Sequence, residues 1–504
     1  MEQYLILNKN MPLTPLSVFD KNWNGQIIEL SLEDAKRYVE DQNQKYGEDL
    51  LFFMKIKEWL KLRESPQAVE FQDKLHEDVA KLLDCPEINE ISKRICEATD
   101  KNINGFMIPF EADNNEDYEK KLKDELEGFI KEIDRPAFRK EGSLVDDVKV
   151  ICKKVIEALD AAKIGDIKTA EKLIEEILEE YKKFPFAVSE LDKSYAFRGI
   201  APFDELKQSR VPKEEYETML DGELNFFRAR SMEKTKTIQT EDEINYLSYS
   251  KSGLAKDLRF SSKGKVCLYL GTTSYVCSKE CRWNREDNLY LASFKFNEKG
   301  NKLKILNLVV TQSLLNGTIP RTGDTPYYRE LHNAMIRVFP LVIATMFTIR
   351  TSDEVREKTY GEEIKYEYLL SKVLMNVLQK ENVKIDGVAY LSRQGKDDFQ
   401  YPQMICLAIP INDISEDDEY GELINFFVMT PPVLYNGFSD DGTYERRSYI
   451  NEKYPNYVDY SWGQEENFNA KVEYNGEIVF YEDIPYSKFD DYLVNQEHKK
   501  FVVS

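Results

Sequence analysis

Three side chains between residues 259 and 283 have the types and the spacing that a small catalytic pocket needs. Arg259 is followed by Tyr269 ten positions later, and Glu280 comes eleven positions after that. A guanidinium group binds phosphate oxygens in a bidentate manner, and an aromatic ring offers a flat apolar face. A carboxylate stabilises positive charge that develops as a bond breaks. Together they suit a ligand with phosphates, a flat ring and a bond that breaks through a positively charged transition state.

The local sequence predicts a loop, a strand and a helix that would position these side chains. The apolar run at residues 266–270 lies between a Lys-Gly-Lys turn and Gly271, as expected of a short buried strand. Thr273 or Ser274 is suitable as the N-cap of a following helix, which would carry Glu280 in its second turn. The three side chains are therefore expected to lie on three adjoining elements.

Two further segments accompany this one. Upstream, FFRARS at residues 226–231 is typical of a strand and bears Arg228. Downstream, a predicted helix leads into the motif D-G-x-x-Y-x-S, from Asp386 to Ser392, and then into the strand-like run MICLAIP. In this order the segments resemble the RES domain family over about residues 224–410. The family signature is roughly G-R-F/W-N-x-x-G, then Y-L-A/G and a helix with a glutamate.

The resemblance implies an α/β module with an ADP-ribosyltransferase-like core, NAD+ as its substrate and a role as a toxin beside a neutralising protein. Matched by position, the family's active-site residues are Arg259, Tyr269, Glu280 and Ser392, with Arg228 as a further arginine. The resemblance implies that the arginines hold the diphosphate and Tyr269 the nicotinamide side. Glu280 would then act on the transition state, and Ser392 would bind a ribose hydroxyl or a phosphate.

The sequence departs from the family signature within the first motif. Leu258 stands where the family usually has Gly, and Ser261 stands where it frequently has Asn. The stretch between residues 292 and 367 is also longer than in a minimal RES domain. These departures concern substrate access and the second substrate more than the core chemistry. Arg228 and Arg230 are both candidates for a ligand-facing arginine, and the sequence leaves the choice open.

These expectations lead to three hypotheses about function. The first is an NAD+ phosphorylase or NAD+ glycohydrolase that cleaves the nicotinamide–ribose bond with phosphate or water as acceptor, as a bacterial toxin or antiphage effector. Its partners would be NAD+, inorganic phosphate and a protein inhibitor, antitoxin or sensor. The second is an ADP-ribosyltransferase that modifies a macromolecule recognised through residues 292–367. The third is a non-catalytic binding or scaffold protein that has kept the RES shape.

Composition and charge argue against several other classes of protein. The 504 residues carry a formal net charge of −22, which argues against general nucleic-acid binding, because phosphate contacts need clustered Lys and Arg. An anionic ligand would still need local cations, and the candidates are Arg228, Arg230, Arg259 and Arg393. The longest apolar run, residues 338–349, is too short to cross a bilayer, and no signal peptide is evident. We therefore expect a cytoplasmic protein without membrane contact, and homo-oligomerisation stays open.

The cysteines and histidines do not predict metal chemistry. The seven cysteines form no CxxC pair, and the three histidines are widely spaced. Cys277 and Cys281 would lie on successive turns of the Glu280 helix, with Cys267 in the preceding strand. Reduced buried thiols fit these positions better than a zinc site, so no metal ligands are assigned.

The chain as a whole is predicted to be an α+β protein. A helical regulatory or partner-binding domain is expected over residues 1–195 and a linker over residues 196–223. An ADP-ribosyltransferase-like RES α/β domain would follow over residues 224–410, and a β-rich extension docked on it over residues 411–504. The junction is indicated by an aromatic-, Pro- and Gly-rich stretch at residues 184–213.

Hydrophobic periodicity and capping residues predict individual helices. Residues 31–47 and 48–64 read as two successive helices, and the high charge of residues 112–133 favours an exposed helix. Ser143 would cap a helical hairpin that turns at residues 164–166.

Two β-hairpins and one further helix are also predicted. Residues 293–309 read as two strands around a Glu-Lys-Gly-Asn turn, and an Asn-Gly turn at residues 475–476 indicates a second hairpin. Residues 331–350 are expected to form a buried helix.

Overall fold

The computed structural model describes the chain in separate stretches. The described residues are 4–8, 11–15, 32–46, 51–55, 103–135, 138–139, 142–198, 224–238, 240–316, 326–349, 365–395, 402–438 and 471–501. Contacts between Cα atoms divide the chain into two units, Met1–Ala98 and Thr99–Ser504. The residues of the predicted site all belong to the second unit.

The first unit contains a small antiparallel sheet and a helix. Its strands are β1 (Tyr4–Asn8), β2 (Met11–Pro15) and β3 (Leu51–Lys55), in the order β2-β1-β3. Its helix, α1 (Leu32–Tyr46), confirms the first helix predicted from the sequence.

The second predicted helix of this unit is wrong over residues 51–55, which form β3. This strand pairs with β1 from Tyr4 opposite Lys55 to Asn8 opposite Leu51. The periodicity of a short apolar run does not distinguish a buried strand from a helix, and the N-terminal run YLILN provides the partner strand here. The rest of that predicted helix, residues 48–50 and 56–64, lies outside the described residues.

Helices and strands both occur in the second unit, which confirms the predicted α+β class. The described α-helices are α2 (Asn115–Ile133), α3 (Leu144–Lys163), α4 (Ile167–Tyr181), α5 (Tyr195–Arg198), α6 (Ser274–Glu280), α7 (Gln312–Leu315), α8 (Pro326–Thr345), α9 (Leu369–Leu378) and α10 (Pro485–Val494). The described strands are β4 (Phe110–Ala112), β5 (Val188–Glu190), β6 (Asn225–Met232), β7 (Cys267–Gly271), β8 (Asn288–Phe296), β9 (Lys304–Leu308), β10 (Phe347–Ile349), β11 (Gly387–Leu391), β12 (Ile405–Pro410), β13 (Phe427–Met429), β14 (Val433–Leu434), β15 (Lys471–Tyr474) and β16 (Glu477–Phe480). The predicted domain boundaries and the ADP-ribosyltransferase-like core stay predictions.

A mixed sheet runs through the described part of the second unit. Its strand order is β13-β8-β6-β7-β12-β11-β9-β5, and β14 also pairs with β8. Strands β11 and β9 are parallel, whereas the other neighbouring pairs are antiparallel. Four consecutive strands of this order, β6-β7-β12-β11, come from the three segments that carry the predicted site. The sheet therefore brings those segments side by side.

The β-hairpin predicted at residues 293–309 is wrong in its pairing. Both strands are present, as β8 and β9, but they lie in different halves of the sheet. Strand β8 pairs with β6 over eight positions, from Lys295 opposite Asn225 to Asn288 opposite Met232. This long register satisfies more backbone groups than the five-residue β9 would, because every unpaired buried N–H or C=O costs free energy.

Helix α2 confirms the helix predicted within residues 112–133, but its predicted exposure is wrong. One stripe of apolar side chains is buried along the helix, at spacings of three and four residues. The buried residues are Tyr118, Leu122, Leu126, Phe129 and Ile133. The charged side chains that suggested exposure occupy the remaining faces of an amphipathic helix.

The helical hairpin predicted after Ser143 is confirmed as α3 and α4. Gly165 adopts a φ of 81°, which glycine reaches without steric cost, and Asp166 caps α4 by accepting a hydrogen bond of 3.2 Å from the Thr169 amide. Ser143 is the N-cap residue by position. Its hydroxyl, however, donates to Asp147 Oδ2 at 2.9 Å instead of accepting from a backbone amide.

The predicted buried helix at residues 331–350 corresponds to α8, which ends five residues earlier than expected, at Thr345. The chain then forms β10, which pairs in parallel with β4. The helix gives way to a strand at this point because β4 provides hydrogen-bond partners for the backbone of Phe347–Ile349. Residues Met346 and Phe347 lie at this junction and reach the candidate site.

The C-terminal segment contains a hairpin and a helix. Strands β15 and β16 pair through the predicted Asn-Gly turn, where Asn475 and Gly476 have φ values of 52° and 85°. Helix α10 contacts both α6 and β8. None of the described helices combines the length and the hydropathy that a membrane span requires. The predicted cytoplasmic location stays a prediction.

Candidate active site

Strand β7 and helix α6 form a compact unit that positions Tyr269 and Glu280. A Cβ atom on Gly271 would lie 2.5 Å from Val276 Cγ1 and 2.6 Å from Cys277 Sγ, so only glycine allows the helix to fold back onto the strand. Thr273 is the N-cap, as the sequence predicted, and its hydroxyl accepts a hydrogen bond of 3.1 Å from the Val276 amide. Glu280 is the last residue of the helix.

The residues predicted from the sequence meet at one cavity of about 630 Å³. Arg228, Arg259, Tyr269 and Glu280 all line it. Ser392 is not part of the lining but donates a hydrogen bond of 2.5 Å from Oγ to Glu280 Oε1. The structure therefore brings together all five residues, although they come from three segments spread over 165 positions of the chain.

The Glu280–Ser392 pair joins an exposed carboxylate to a fully buried hydroxyl. Ser392 is fixed by its own amide, which donates to the Met404 carbonyl at 2.9 Å, and its Oγ accepts a hydrogen bond of 3.1 Å from the Gln394 amide. Within the described residues Glu280 Oε2 has no hydrogen-bond partner. One carboxylate oxygen is thus oriented by Ser392, and the other is available to a ligand.

Arg259 is a buried cation held mainly by neutral groups. Nη1 donates to the Leu391 carbonyl at 3.1 Å, Nη2 lies 2.9 Å from Met346 Sδ, and the guanidinium carbon is 4.9 Å from the centroid of the Tyr390 ring. Burial and the nearby Arg393 charge lower the pKa of Arg259 to about 10, so the group stays protonated at neutral pH. Nη1 and Nη2 are thus held on neutral acceptors, and the charge lies at the cavity wall.

Arg228, rather than Arg230, is the arginine of β6 that lines the cavity. Its Nε donates to the Ile244 carbonyl at 2.7 Å and its Nη1 to the Tyr269 carbonyl at 2.9 Å. Burial lowers its pKa from the usual value. Arg230 lies two residues further along the strand, is exposed, and donates to the Glu243 carbonyl. Arg228 is therefore the one of the two that faces the cavity, and its contact with a ligand stays a prediction.

Tyr269 contributes its side chain to the cavity lining and its carbonyl to the fixation of Arg228. Burial raises the pKa of its phenol well above the usual value, so the hydroxyl stays protonated at any physiological pH. Its side chain is therefore a neutral surface that suits an uncharged or cationic flat ring better than a phosphate.

Two aromatic residues of the lining had no role assigned from the sequence, and they pack against Arg259 and against Arg393, the latter a candidate cation from the sequence. Tyr390 packs under Arg259, and Tyr368 packs under Arg393 at 4.9 Å from the guanidinium carbon. Arg393 also donates from Nη2 to Tyr368 Oη at 2.8 Å and from Nη1 to the Phe347 carbonyl. Tyr390 belongs to the D-G-x-x-Y-x-S motif and Arg393 follows it directly, whereas no sequence pattern indicates Tyr368.

The cavity is locally cationic although the chain is acidic. Six cationic side chains and two carboxylates belong to its lining, against a net charge of −22 for the whole chain. The cations are Arg228, Lys256, Arg259, Arg282, Lys365 and Arg393, and the carboxylates are Asp257 and Glu280. Asp257 is paired with Lys372 at 2.5 Å, so its charge is compensated outside the set. Such a local excess of cations favours an anionic ligand.

The cysteines of the lining are buried thiols or hydrogen-bond donors. Cys277 Sγ donates to the Phe227 carbonyl at 3.1 Å, and Cys281 Sγ donates to the Ala229 carbonyl at 3.4 Å. Burial raises the pKa of Cys277 well above the usual value and that of Cys281 to about 11, which makes both poor nucleophiles at neutral pH. Among the described residues no group of three His, Cys, Asp or Glu side chains forms a metal site.

The arrangement has the parts that cleavage of a bond to a sugar-like centre needs. Arg228, Arg259 and Arg393 form no ion pair with a carboxylate among the described residues and can bind phosphate oxygens, and Tyr269 offers a face for a flat ring. Glu280 presents a fixed carboxylate to positive charge that develops in a transition state. The cavity volume lies within the range of small-molecule sites, roughly 300–1,000 Å³.

Comparison with known proteins gives one similarity of sequence. The chain is 24% identical over 220 residues to the protein named "Putative toxin YopC" of Bacillus subtilis (strain 168), and the aligned part covers 42% of this chain. The alignment spans about half the length of that relative, 47%.

Comparisons with protein-family models and with solved structures gave no match. No family model matches the chain. No solved structure is significantly similar to it. The resemblance to the RES domain therefore stays a prediction that rests on the motifs and on the site they form.

Proposed function

We propose that this protein is an NAD+-degrading enzyme that cleaves the nicotinamide–ribose bond, with phosphate or water as the acceptor. One observation carries the proposal. Glu280 is oriented by Ser392 at 2.5 Å in a cavity whose lining includes Arg228, Arg259 and Arg393. A dinucleotide with a diphosphate and a cationic ring needs this combination of fixed positive charges and one negative charge.

The substrate would be held by its diphosphate and by its rings. Guanidinium groups bind phosphate oxygens through two parallel hydrogen bonds, and Arg228, Arg259 and Arg393 surround the same space. Tyr269 lines that space as well and would contact the nicotinamide side, whereas the rings of Tyr368 and Tyr390 pack under Arg393 and Arg259 and support those guanidinium groups. The positive charge of nicotinamide in NAD+ would favour the side of the cavity where Glu280 lies.

The chemical step needs little more than electrostatic stabilisation and orientation. The bond between ribose C1 and the nicotinamide nitrogen breaks, and its electron pair moves to the ring, which leaves as neutral nicotinamide. The sugar becomes cationic, and Glu280 stabilises that charge on one face. An oxygen of phosphate or water then bonds to C1 on the open face. In the case of water the released proton passes to Glu280 or to solvent.

A toxin role fits this chemistry. The curated relative carries the word toxin in its name. An enzyme that consumes a central cofactor harms its own cell unless it is restrained, so we propose a protein partner that inhibits it. Phosphate, NAD+ and this inhibitor are the partners that the proposal includes.

The test is NAD+ consumption by the purified full chain, with and without inorganic phosphate, followed by chromatography of the products. Hydrolysis would give nicotinamide and ADP-ribose in both buffers. Phosphorolysis would give nicotinamide and phosphorylated ADP-ribose in the phosphate buffer alone. Loss of either activity in Glu280→Gln excludes a contaminating enzyme.

Two outcomes would contradict the proposal. NAD+-dependent labelling of an added protein or nucleic acid, with little free ADP-ribose, would indicate an ADP-ribosyltransferase instead. Saturable NAD+ binding without nicotinamide release in either buffer would indicate a binding protein.

A further inference from the structure

Helix α6 is held at its N-terminal end by the C-terminal segment, residues 471–494. The Ser274 amide, at the first position of the helix, donates to Asp490 Oδ1 at 3.0 Å. Tyr481 donates its hydroxyl to Asp490 Oδ2 at 2.7 Å. Asp490 is fully buried on α10, and no Lys or Arg of the described residues forms an ion pair with it. The buried carboxylate of Asp490 therefore binds one backbone amide of the helix that bears Glu280, and its other oxygen accepts from Tyr481.

Aromatic contacts also stabilise the N-terminal end of α6. The Tyr275 ring lies 5.3 Å from the Tyr486 ring and 6.1 Å from the Tyr474 ring, measured between centroids. Its hydroxyl donates to the Glu473 carbonyl. The first two residues of α6 thus contact both the hairpin and the helix of the C-terminal segment.

The length of α6 links this contact to the candidate site. Its seven residues span about 10 Å at 1.5 Å per residue, so the helix is too short to bend between its two ends. Gly271 already lets α6 pack on β7 without free space. A shift of the first turn would therefore move Glu280 away from Ser392.

We propose that Asp490 is a positioning residue that, through Ser274 and the rigid helix α6, sets the place of the Glu280 carboxylate. The proposal rests on the proposed function and extends it. It makes the C-terminal segment part of the catalytic unit rather than an appendage.

The ionisation of Asp490 gives this contact a pH dependence. Four other titratable groups face it: Asp491 on the same helix, Tyr481, Tyr435 and the Cys277 thiol of α6. Burial, together with the Asp491 charge, raises the pKa of Asp490 to about 7. Burial also raises the pKa of Tyr481, Tyr435 and Cys277, so these three stay neutral near pH 7.

As the pH rises to about 7, the ionisation of Asp490 has two opposite consequences, one for the positioning of α6 and one for the stability of the fold. The ionised carboxylate binds the Ser274 amide at the positive end of α6 more strongly, so positioning improves as the pH rises. The folded state, however, holds the proton more tightly than the unfolded chain, because the folded pKa is raised. The contribution of Asp490 to stability is therefore largest at acid pH and declines as the pH rises through the folded pKa.

The experiment compares Asp490→Ala and Asp490→Asn with the neighbouring control Asp491→Asn in the full chain. Hydrogen exchange of the peptide covering residues 272–281 is measured together with kcat and KM for NAD+. We expect Asp490→Ala to raise the exchange rate and to lower kcat, each by about 10-fold, with KM unchanged, because one hydrogen bond to a charged group is lost. Asp490→Asn keeps an acceptor for Ser274 and should restore most of kcat while it abolishes the inflection of kcat near neutral pH. Asp491→Asn should leave the exchange rate and KM unchanged and keep the wild-type kcat at its plateau, and it should move the inflection of kcat only to slightly lower pH, because the Asp491 charge helps to raise the pKa of Asp490.

Unchanged exchange in Asp490→Ala, or faster exchange with an unchanged kcat, would overturn the proposal. If Asp490→Ala does not fold, Tyr481→Phe serves instead, because it removes one donor to Asp490 and leaves α6 intact. It should raise the exchange rate by about 3-fold, and no rise would overturn the proposal. The exchange measurement needs no activity. A wild-type protein that does not cleave NAD+ would refute the proposed function, while exchange still reports whether Asp490 holds α6.

Discussion

The cavity has two walls that are fixed in different ways. The arginine wall consists of Arg228, Arg259 and Arg393, and each guanidinium contacts two protein acceptors, at least one of them a backbone carbonyl. The carboxylate wall consists of Glu280 and Ser392, joined by a single hydrogen bond of 2.5 Å. Redundant contacts hold the first wall, whereas the second depends on one contact and on the position of a short helix.

Under the proposed function, this difference predicts a division of work between the walls. Neutral acceptors fix the guanidinium groups without neutralising them, so the arginine wall is suited to binding an anion in both the ground state and the transition state. Such uniform binding acts on KM. The carboxylate wall offers one charge whose benefit is greatest when the substrate becomes cationic, so it acts on kcat.

The largest expected effect comes from removing the charge of the carboxylate wall. Glu280→Gln keeps the shape and an acceptor oxygen for Ser392 but leaves the developing cation without its counter-charge. We expect kcat for NAD+ cleavage to fall by about 10³-fold with KM changed by less than about 3-fold. Steady-state kinetics of nicotinamide release provides the measurement.

The matched control for this variant is Glu286→Gln, an exposed carboxylate six residues further along the chain that does not line the cavity. It should keep the wild-type kcat. A fall of less than about 10-fold in Glu280→Gln would show that the two walls do not divide binding and chemistry in this way.

The arginine wall is tested by Arg228→Lys. A lysine ammonium reaches only one of the two carbonyls that Arg228 bridges, Ile244 and Tyr269, and it cannot bind a phosphate in a bidentate manner. We expect KM, and the Kd measured by calorimetry in the Glu280→Gln background, to rise by about 30-fold while kcat stays within about 3-fold.

Arg230→Lys is the control for Arg228→Lys, because Arg230 lies on the same strand two residues away and outside the cavity lining. It should leave KM unchanged. An equal rise of KM in both variants would mean that the ligand is attracted by positive charge in general and not by the arginine wall. A large fall of kcat in Arg228→Lys would assign part of the chemistry to the arginine wall.

The sequence predicted the components of both walls because their signals are local. The strand at residues 266–270, Gly271 and the Thr273 cap lie next to each other in the chain and directly determine where Tyr269 and Glu280 project. The order of three motifs then identified Arg228, Arg259 and Ser392. Local patterns of this kind are also why α1, α2 and the α3–α4 hairpin were predicted as helices.

The features that the sequence did not predict depend on contacts between distant residues. Tyr368 stacks under Arg393 only after the short 3₁₀ helix at Tyr366–Tyr368 and the sheet have formed, and Asp490 meets Ser274 across 216 positions of the chain. The pairing of β8 with β6 instead of β9 also depends on a partner that lies far away in the sequence, because β6 pairs with β8 over eight positions. The composition of a segment does not determine which partner it packs against. The burial of α2 was not predicted for the same reason.

The smallest of the three effects is expected from the link within the carboxylate wall. Ser392→Ala removes the hydrogen bond that orients Glu280 Oε1 and leaves the charge itself in place. We expect kcat to fall by about 10-fold, because one charge-assisted hydrogen bond contributes roughly 1.5 kcal/mol. Ser278→Ala, on the same helix but bonded to the Tyr275 carbonyl, should leave kcat unchanged.

The combination of Ser392→Ala with Glu280→Gln decides whether the hydroxyl acts through the carboxylate. If the role of the Ser392 hydroxyl is to orient Glu280, kcat of the double variant should lie within about 2-fold of kcat of Glu280→Gln alone. The charge that the hydroxyl positions is already absent in that background. A further fall of about 10-fold in the double variant would mean that Ser392 contacts the substrate directly. In that case a ribose or phosphate oxygen of the substrate would replace Glu280 Oε1 as the partner of the Ser392 hydroxyl.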